Sequence, residues 1–263
     1  MDKKIRTFRR LSMSSFTQES ILKLKTKKGL NGKNIIDEMF FTPPLKIISP
    51  LEDGDMAEIM LISVSAGLLK DDKQDIAIHI GKESKIRLTS QSYEKIHDTQ
   101  GGYASKQTQI IVEENAFLDY APLPTLLFKN ASFKNTMDIY LYKNAKLHYS
   151  EILCARSCGE IFDFLEFRSK VCIYKDNNLV FFENMHLKPA EMDLQNPCLF
   201  DEYTHILSII IFDDTINIQS LEQKIQNSSL NVGISTNNGA IIIRTLDNQS
   251  ERLLQFKQDL ALS

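Results

Sequence analysis

From Ile21 to about Phe182 the chain alternates apolar and polar residues with a period of two. Leu22, Leu24 and Thr26 alternate with Lys23, Lys25 and Lys27, and Ile76, Ile78 and Ile80 with Ala77 and His79. Ile86 and Leu88, Ile139 and Leu141, and Val171 and Ile173 keep the same spacing. Successive side chains of a strand point to opposite faces, so the pattern predicts half-buried β-strands along most of the chain, with almost no helix signal. Polar turns interrupt the strands at Gly81, Glu113, Lys143 and Lys175, which stand 32, 30 and 32 residues apart. A supersecondary unit of about thirty residues therefore recurs, as in stacked β-coils or successive hairpins. Side-chain identity does not repeat with it. The expected fold class is all-β, a stack of strands resembling a β-helix in preference to an ordinary two-sheet sandwich.

The alternation ends before two short stretches of helical spacing. Ser220-Leu221-Glu222-Gln223 fits a capping box with Leu221 and Ile225 one turn apart, predicting a helix near 220–227. Asn248 with Glu251 opens a second, near 249–261, which puts Leu253, Phe256 and Leu260 on one face. Such a face usually covers the end of its own core; the sharper alternative is a docking surface for a partner. The domain plan is a tail over residues 1–18 and one β-rich domain over 19–263 carrying this small α-helical element.

Bulk properties narrow the class of function. A chain of 263 residues with 43% hydrophobic content buries a sizeable core. Its net charge of -3 supplies no positive field for phosphate contacts, so nucleic acid is not an expected partner. The basic cluster Lys3-Lys4-Ile5-Arg6 and Arg9-Arg10 reads as a solvated tail. It lacks the apolar run of a signal peptide and no segment reaches membrane-spanning length, so we expect a soluble, cytoplasmic protein with no membrane partner. Cys154, Cys158, Cys172 and Cys198 are too few and too irregularly spaced for a disulfide framework or a zinc knuckle, and read as reduced thiols.

Candidate chemistry concentrates in Tyr149-Ser150-Glu151-Ile152-Leu153-Cys154-Ala155-Arg156-Ser157-Cys158-Gly159-Glu160, where acids, an arginine and thiols interrupt what otherwise reads as buried strand. Polar groups there must be paired or used. Glu151 and Glu160 suggest an acid/base pair, but an interval of nine puts them on opposite faces of a continuous strand, and Arg156 is expected to neutralise one of them. The five histidines are scattered, so no Cys–His couple is selected; His97 and His148 remain candidates for transient metal contact. There is no nucleophile elbow, Walker loop or dinucleotide fingerprint. The sequence motifs therefore give no support to an enzyme.

With three further runs the stretch resembles the urease accessory protein D family, called H in some operons. The runs are Met39-Phe40-Phe41-Thr42-Pro43-Pro44-Leu45-Lys46, Ser65-Ala66-Gly67-Leu68-Leu69-Lys70-Asp71-Asp72 and Leu88-Thr89-Ser90-Gln91-Ser92-Tyr93-Glu94-Lys95-Ile96, in the family's order. The family's Gly-Leu-x-Gly-Gly-Asp turn is matched at Gly67, Leu68 and Asp72, with Lys70 and Asp71 where glycines are usual. Its Gly-Arg-x-x-x-Gly-Glu run is matched at Arg156, Gly159 and Glu160, with Ala155 for the first glycine. A glycine position often needs positive φ, which other residues adopt at a cost.

The resemblance implies a non-enzymatic scaffold for urease maturation. It would bind the F-type accessory protein and, through it, the G-type GTPase that carries nickel, in a two-plus-two complex that docks on apo-urease. No cofactor is held tightly, and nickel is in transit through an internal channel. Asp72, Glu151 and Glu160 would be oxygen ligands along the route, binding nickel weakly enough to release it. Lys95 and Arg156 would position those acids or brace turns. Two readings of other classes compete: a β-solenoid hydrolase or lyase using Glu151 and Glu160, and a metal-free interaction module built around Phe40, Phe41 and the C-terminal helix.

Overall fold

The computed structural model describes residues 19–157 and 160–260; the side chains of residues 52, 53, 156, 157 and 160 lie outside that description, as does the expected tail over 1–18. Five strands, Ser20–Lys28, Lys73–Ile80, Ala104–Val112, Ser132–Leu141 and Glu166–Lys175, run parallel in one sheet. Four more, Met56–Ser63, Lys85–Ser90, Phe117–Ala121 and Lys146–Cys154, run parallel in a second. The chain passes from first sheet to second and back, and each circuit lays its strands beside the previous ones. Ile76 thus sits beside Thr108, Thr108 beside Met137 and Met137 beside Val171. This is the expected stack of coils.

The corners explain the regular turns. In one row of corners Glu83, Asn115, Asn144 and Asp176 take positive φ, and in the other Asp71, Gln100, Asn130 and Phe162 do. Asparagine and aspartate tolerate the left-handed region because their short side chains bond locally. Here they also tie coil to coil: Asn144 Nδ2 donates to Asn115 Oδ1 at 3.0 Å, and Asn130 Nδ2 to Asp98 Oδ2 at 3.0 Å. Asp71, where the family expects glycine, retains the glycine-like conformation with φ 66°. Ala155 takes no positive φ.

Antiparallel strands finish the stack at both ends. Asn34–Phe41 closes one edge of the first sheet and Asn178–Leu187 the other. His205–Phe212, Ala240–Asp247 and Asn231–Asn237 extend the second sheet beyond Lys146–Cys154. Two helices, α1 (Ile218–Gln226) and α2 (Ser250–Asp259), cover the outer face of that extension, burying Leu221, Ile225, Leu253 and Phe256 against Leu207, Ile209, Ile211 and Ile243. The apolar face of α2 is therefore core, not free surface.

The cap residues differ from the expected ones. Asn217, not Ser220, caps α1, its Oδ1 accepting from Ser220 N–H at 3.1 Å, because the helix begins three residues earlier than the capping box implied. Gln249 occupies the cap position of α2 without a side-chain bond, while Asn248 accepts from Thr204 Oγ1 at 3.0 Å.

A buried polar layer as candidate functional site

Between the sheets the interior is not uniformly apolar. On the first sheet Asn135, Ser169 and Glu183 each lie two residues from a member of one apolar cluster (Met137, Val171, Phe181) and two from the other (Phe133, Phe167, Met185), while Lys106 lies two from Ala104 and four from Ile110. On the second sheet Glu151, Ser208 and Arg244 separate Tyr149, Ile210 and Ile242 from Leu153, Ile206 and Leu246 in the same way. Strand register aligns these positions: Gln74 beside Lys106, Lys106 beside Asn135, Asn135 beside Ser169, and Glu151 beside Ser208 beside Arg244. A polar layer thus runs along the stack between two apolar clusters.

A cavity of ≈ 280 Å³ follows it, many times the ~10–15 Å³ that one water needs. Its lining extends from the exposed Ser65, Ala66 and Ser92 at the N-terminal end of the stack to the half-buried Glu151 and Met185 and the buried Ser208. Inside, Lys106 Nζ lies 2.7 Å from Glu94 Oε2, and Tyr149 O–H donates to Glu151 Oε2 at 2.7 Å. Tyr149 stacks on Tyr120 with ring centroids 5.9 Å apart. Burial pushes the Glu151 carboxyl up to about 7; the nearby Glu183 charge adds to this, while the Tyr149 hydroxyl, Arg244 and Lys106 oppose it. Burial alone would lower Lys106, but the acids and Tyr120 around it outweigh burial and raise it to about 12. Lys106 is a fixed cation in this interior. Two buried acceptors, Asn135 Oδ1 and Glu183 Oε2, have no hydrogen-bond partner. Asn135 lines the cavity and Glu183 stands outside its lining; unpaired buried oxygen acceptors of this kind suit water or a hard cation.

The sequence model of the UreD urease accessory protein family matches residues 18–262. The chain belongs to that family. It is 79% identical to urease accessory protein UreH of Helicobacter hepaticus over 95% of this chain and 100% of that one. Against UreH of Helicobacter pylori strain HPAG1 the identity is 40% over 95% of this chain and 96% of that one. Against UreD of Acetivibrio thermocellus it is 32% over 91% and 95%.

The residues picked out by the UreD-family motifs fall in different places. Glu151 stands in the polar layer. Lys95 is exposed and lines the cavity near its mouth, where its backbone oxygen accepts from Leu68 N–H at 2.8 Å. Asp72 is not among the cavity-lining residues; its Oδ2 accepts from Leu69 N–H at 2.8 Å and closes the family's turn. Gly67 of that turn is held by space: a Cβ there would meet Lys95 O at 2.5 Å. The backbones at Arg156 and Glu160 belong to a short antiparallel pair, and their side chains lie outside the described residues, as does Cys158. The expected pairing of Arg156 with Glu151 or Glu160 therefore lies outside the described residues; among those described, Glu151 accepts a hydrogen bond from the uncharged Tyr149 hydroxyl.

His97 lies by the mouth, its Nε2 3.0 Å from Ala66 O and its ring stacked on Phe128. His148 sits on the outer face of the second sheet, 3.3 Å from Asp213. Burial pushes the Cys154 thiol up to about 12, which leaves it protonated and unreactive. Cys172 and Cys198 are also free. Among the described residues no group of three or more His, Cys, Asp or Glu side chains is placed to hold a metal, and no helix is long and apolar enough to cross a membrane.

Sequence reasoning missed Gln74, Glu94, Lys106, Asn135, Glu183 and Arg244. The signal was present for most of them: Gln74 is in phase with Ile76 and Ile78, Lys106 with Ile110 and Val112, and Asn135 with Met137 and Ile139. A polar residue on the apolar phase of a strand is placed inside.

Proposed function

We propose that this chain is a cytoplasmic, non-catalytic scaffold of urease maturation that conducts nickel along its buried polar layer. In this reading it binds the F-type accessory protein and through it the G-type GTPase, in a two-plus-two complex that docks on apo-urease. The single observation that carries the reading is the row of polar side chains lining an internal cavity between two apolar clusters. Nickel is the cargo. A dication entering a low-dielectric interior needs oxygen ligands in place of its water, and Glu94, Glu151 and Glu183 supply carboxylates spread along the stack. Oxygen ligands hold nickel more weakly than imidazole or thiolate would, so the ion moves on. Glu151, protonated about half the time near neutrality, exchanges its proton for the cation and lets the empty layer stay closer to neutral.

The hydrolase alternative requires Glu151 in a solvent-facing groove, whereas its carboxyl is enclosed between the sheets. The test is urease activation in cells carrying the full urease gene set, with this chain wild type, deleted, or bearing Glu151→Ala and Glu183→Ala. Nickel-poor, inactive urease with the variants, despite normal co-purification of the accessory partners, supports conduction. Full nickel loading with both variants leaves an interaction module as the better account.

A further inference from the structure

The cavity lining includes the exposed Ser65 and Ser92 and reaches Ser208 and Met185, but not Glu183 or Arg244. Immediately beyond, an ion pair crosses from sheet to sheet. Arg244 is the register neighbour of Ser208 on the second sheet, and Glu183 shares the inner face of its strand with Met185 on the first. Arg244 Nη2 lies 2.7 Å from Glu183 Oε1. The glutamate side chain is 10% exposed and the arginine 41%, so the pair stands at the boundary between interior and solvent. Glu183 Oε2 faces inward without a partner. On the far side Arg244 pairs in register with Gly233 of the edge strand, where nothing lies within 4 Å of the point a Cβ would occupy.

We propose that Arg244 is a latch at the inner end of the passage: paired with Glu183 it bars divalent cations, and swung outward over Gly233 it yields the Glu183 carboxylate to the cation and opens a way out. This rests on the conduit reading above. The guanidinium is charged at every working pH, so in the closed state a fixed positive charge stands across the exit and repels a dication. The Glu183 carboxylate serves either the arginine or the metal, and each therefore weakens the other's hold by the same factor. The long, partly exposed arginine stem and the open space over Gly233 give the latch room to move. A cation arriving from Glu151 meets Glu183 Oε2 first, and its binding there displaces the arginine.

The test uses the full chain with its co-purified partners and NiCl2 as the probe, reading Ni²⁺ affinity by calorimetry and the rate of urease activation. Arg244→Gln should tighten Ni²⁺ binding roughly tenfold, a typical coupling between competing ligands, and adding Glu183→Gln should abolish the gain. Gly233→Val adds a β-branched residue to an exposed strand without touching an interior charge; by disfavouring the outward position of Arg244 it should slow activation several-fold and weaken Ni²⁺ binding. Unchanged affinity in Arg244→Gln, with Glu151→Gln still blocking activation, overturns the latch and leaves the conduit standing. If Glu151→Gln and Glu183→Gln both load urease normally, conduit and latch fall together. Should Arg244→Gln lose its fold by circular dichroism, Gly233→Val decides alone, and wild-type activation kinetics in it reject the latch.

Discussion

Replacing Glu151 by glutamine should change the stability of this protein in a way that depends on pH with a definite sign. The Glu151 carboxyl ionises at about 7 in the folded chain against an ordinary 4.5. Below the ordinary value both folded and unfolded chains carry the proton, and the group contributes nothing. Between the two values the folded chain keeps a proton that the unfolded chain releases, so stability falls as pH rises. Above about 7 the charge is buried in both senses, paired only with the Tyr149 hydroxyl and the more distant Arg244 and Lys106. At about 1.4 kcal/mol per pH unit the raised value makes the ionised carboxylate cost about 3 kcal/mol at pH 8.

Glutamine cannot ionise, and its amide oxygen still accepts from Tyr149. Glu151→Gln should therefore match the parent below about pH 4.5, gain on it up to about pH 7 and hold that gain above, by roughly 5–10 °C in midpoint for a chain of this size. Thermal unfolding followed by circular dichroism from pH 5 to 8.5, with a chelator present, reads the difference directly. A difference that stays flat, or a glutamine variant that is weaker at pH 8 than at pH 5, would show that Glu151 ionises like an exposed acid. The account of the layer as a low-dielectric interior would then be wrong.

Other expectations follow from the same geometry. Tyr149→Phe removes the hydroxyl that holds the Glu151 charge, so the pH range over which stability falls should extend further upward from an unchanged lower limit, read from the same melting series. Lys106→Met leaves Glu94 without its cation inside the stack and should destabilise by roughly 2–4 kcal/mol in urea unfolding, most of it restored by adding Glu94→Gln. Gly67→Ala places a Cβ 2.5 Å from Lys95 O at φ 147° and should lose roughly 2–4 kcal/mol, by the same assay. Leu253→Ala, on the buried face of α2, should lose about 2–4 kcal/mol while leaving Ni²⁺ affinity unchanged, which separates core damage from damage to the layer.

The coiled architecture was legible because two independent periods agree, a two-residue alternation within strands and a turn every thirty or so residues between them. Each turn carries an Asn, Asp or Glu in the left-handed region, and that local chemistry is visible in one sequence. The helix starts were less legible: Asn217 and Ser220 are both good caps, and the earlier start places Ile218 as well as Leu221 against the same apolar cluster. Of the site, Glu151 could be found because it interrupts an apolar run. Lys106 was harder to find, since Ser105-Lys106-Gln107-Thr108-Gln109 reads as a polar stretch until the phase is carried back from Ile110. The Arg244–Glu183 pair joins strands from opposite sheets, and no spacing in a single sequence points to it.

A stack of parallel coils makes such a layer easy to build. In a sandwich of antiparallel hairpins, a polar residue inside one strand faces unrelated neighbours and must be satisfied by chance contacts. In coils of nearly constant length the equivalent residue of the next coil lies beside it, so one polar position per coil becomes a continuous line: Gln74, Lys106, Asn135, Ser169. The line needs apolar mass on both sides to remain dry at its walls, and the strands are long enough to provide it, reaching Ile110, Ile139 and Ile173 on one side and Ala104, Phe133 and Phe167 on the other. Moving the polar position by one residue would turn it to solvent, and moving it by two would bury it in a cluster without partners. The position of the layer is thus tied to the register of every coil, and a variant that shifts one corner, at Asn115 or Asn130, should break the line without removing any of its side chains.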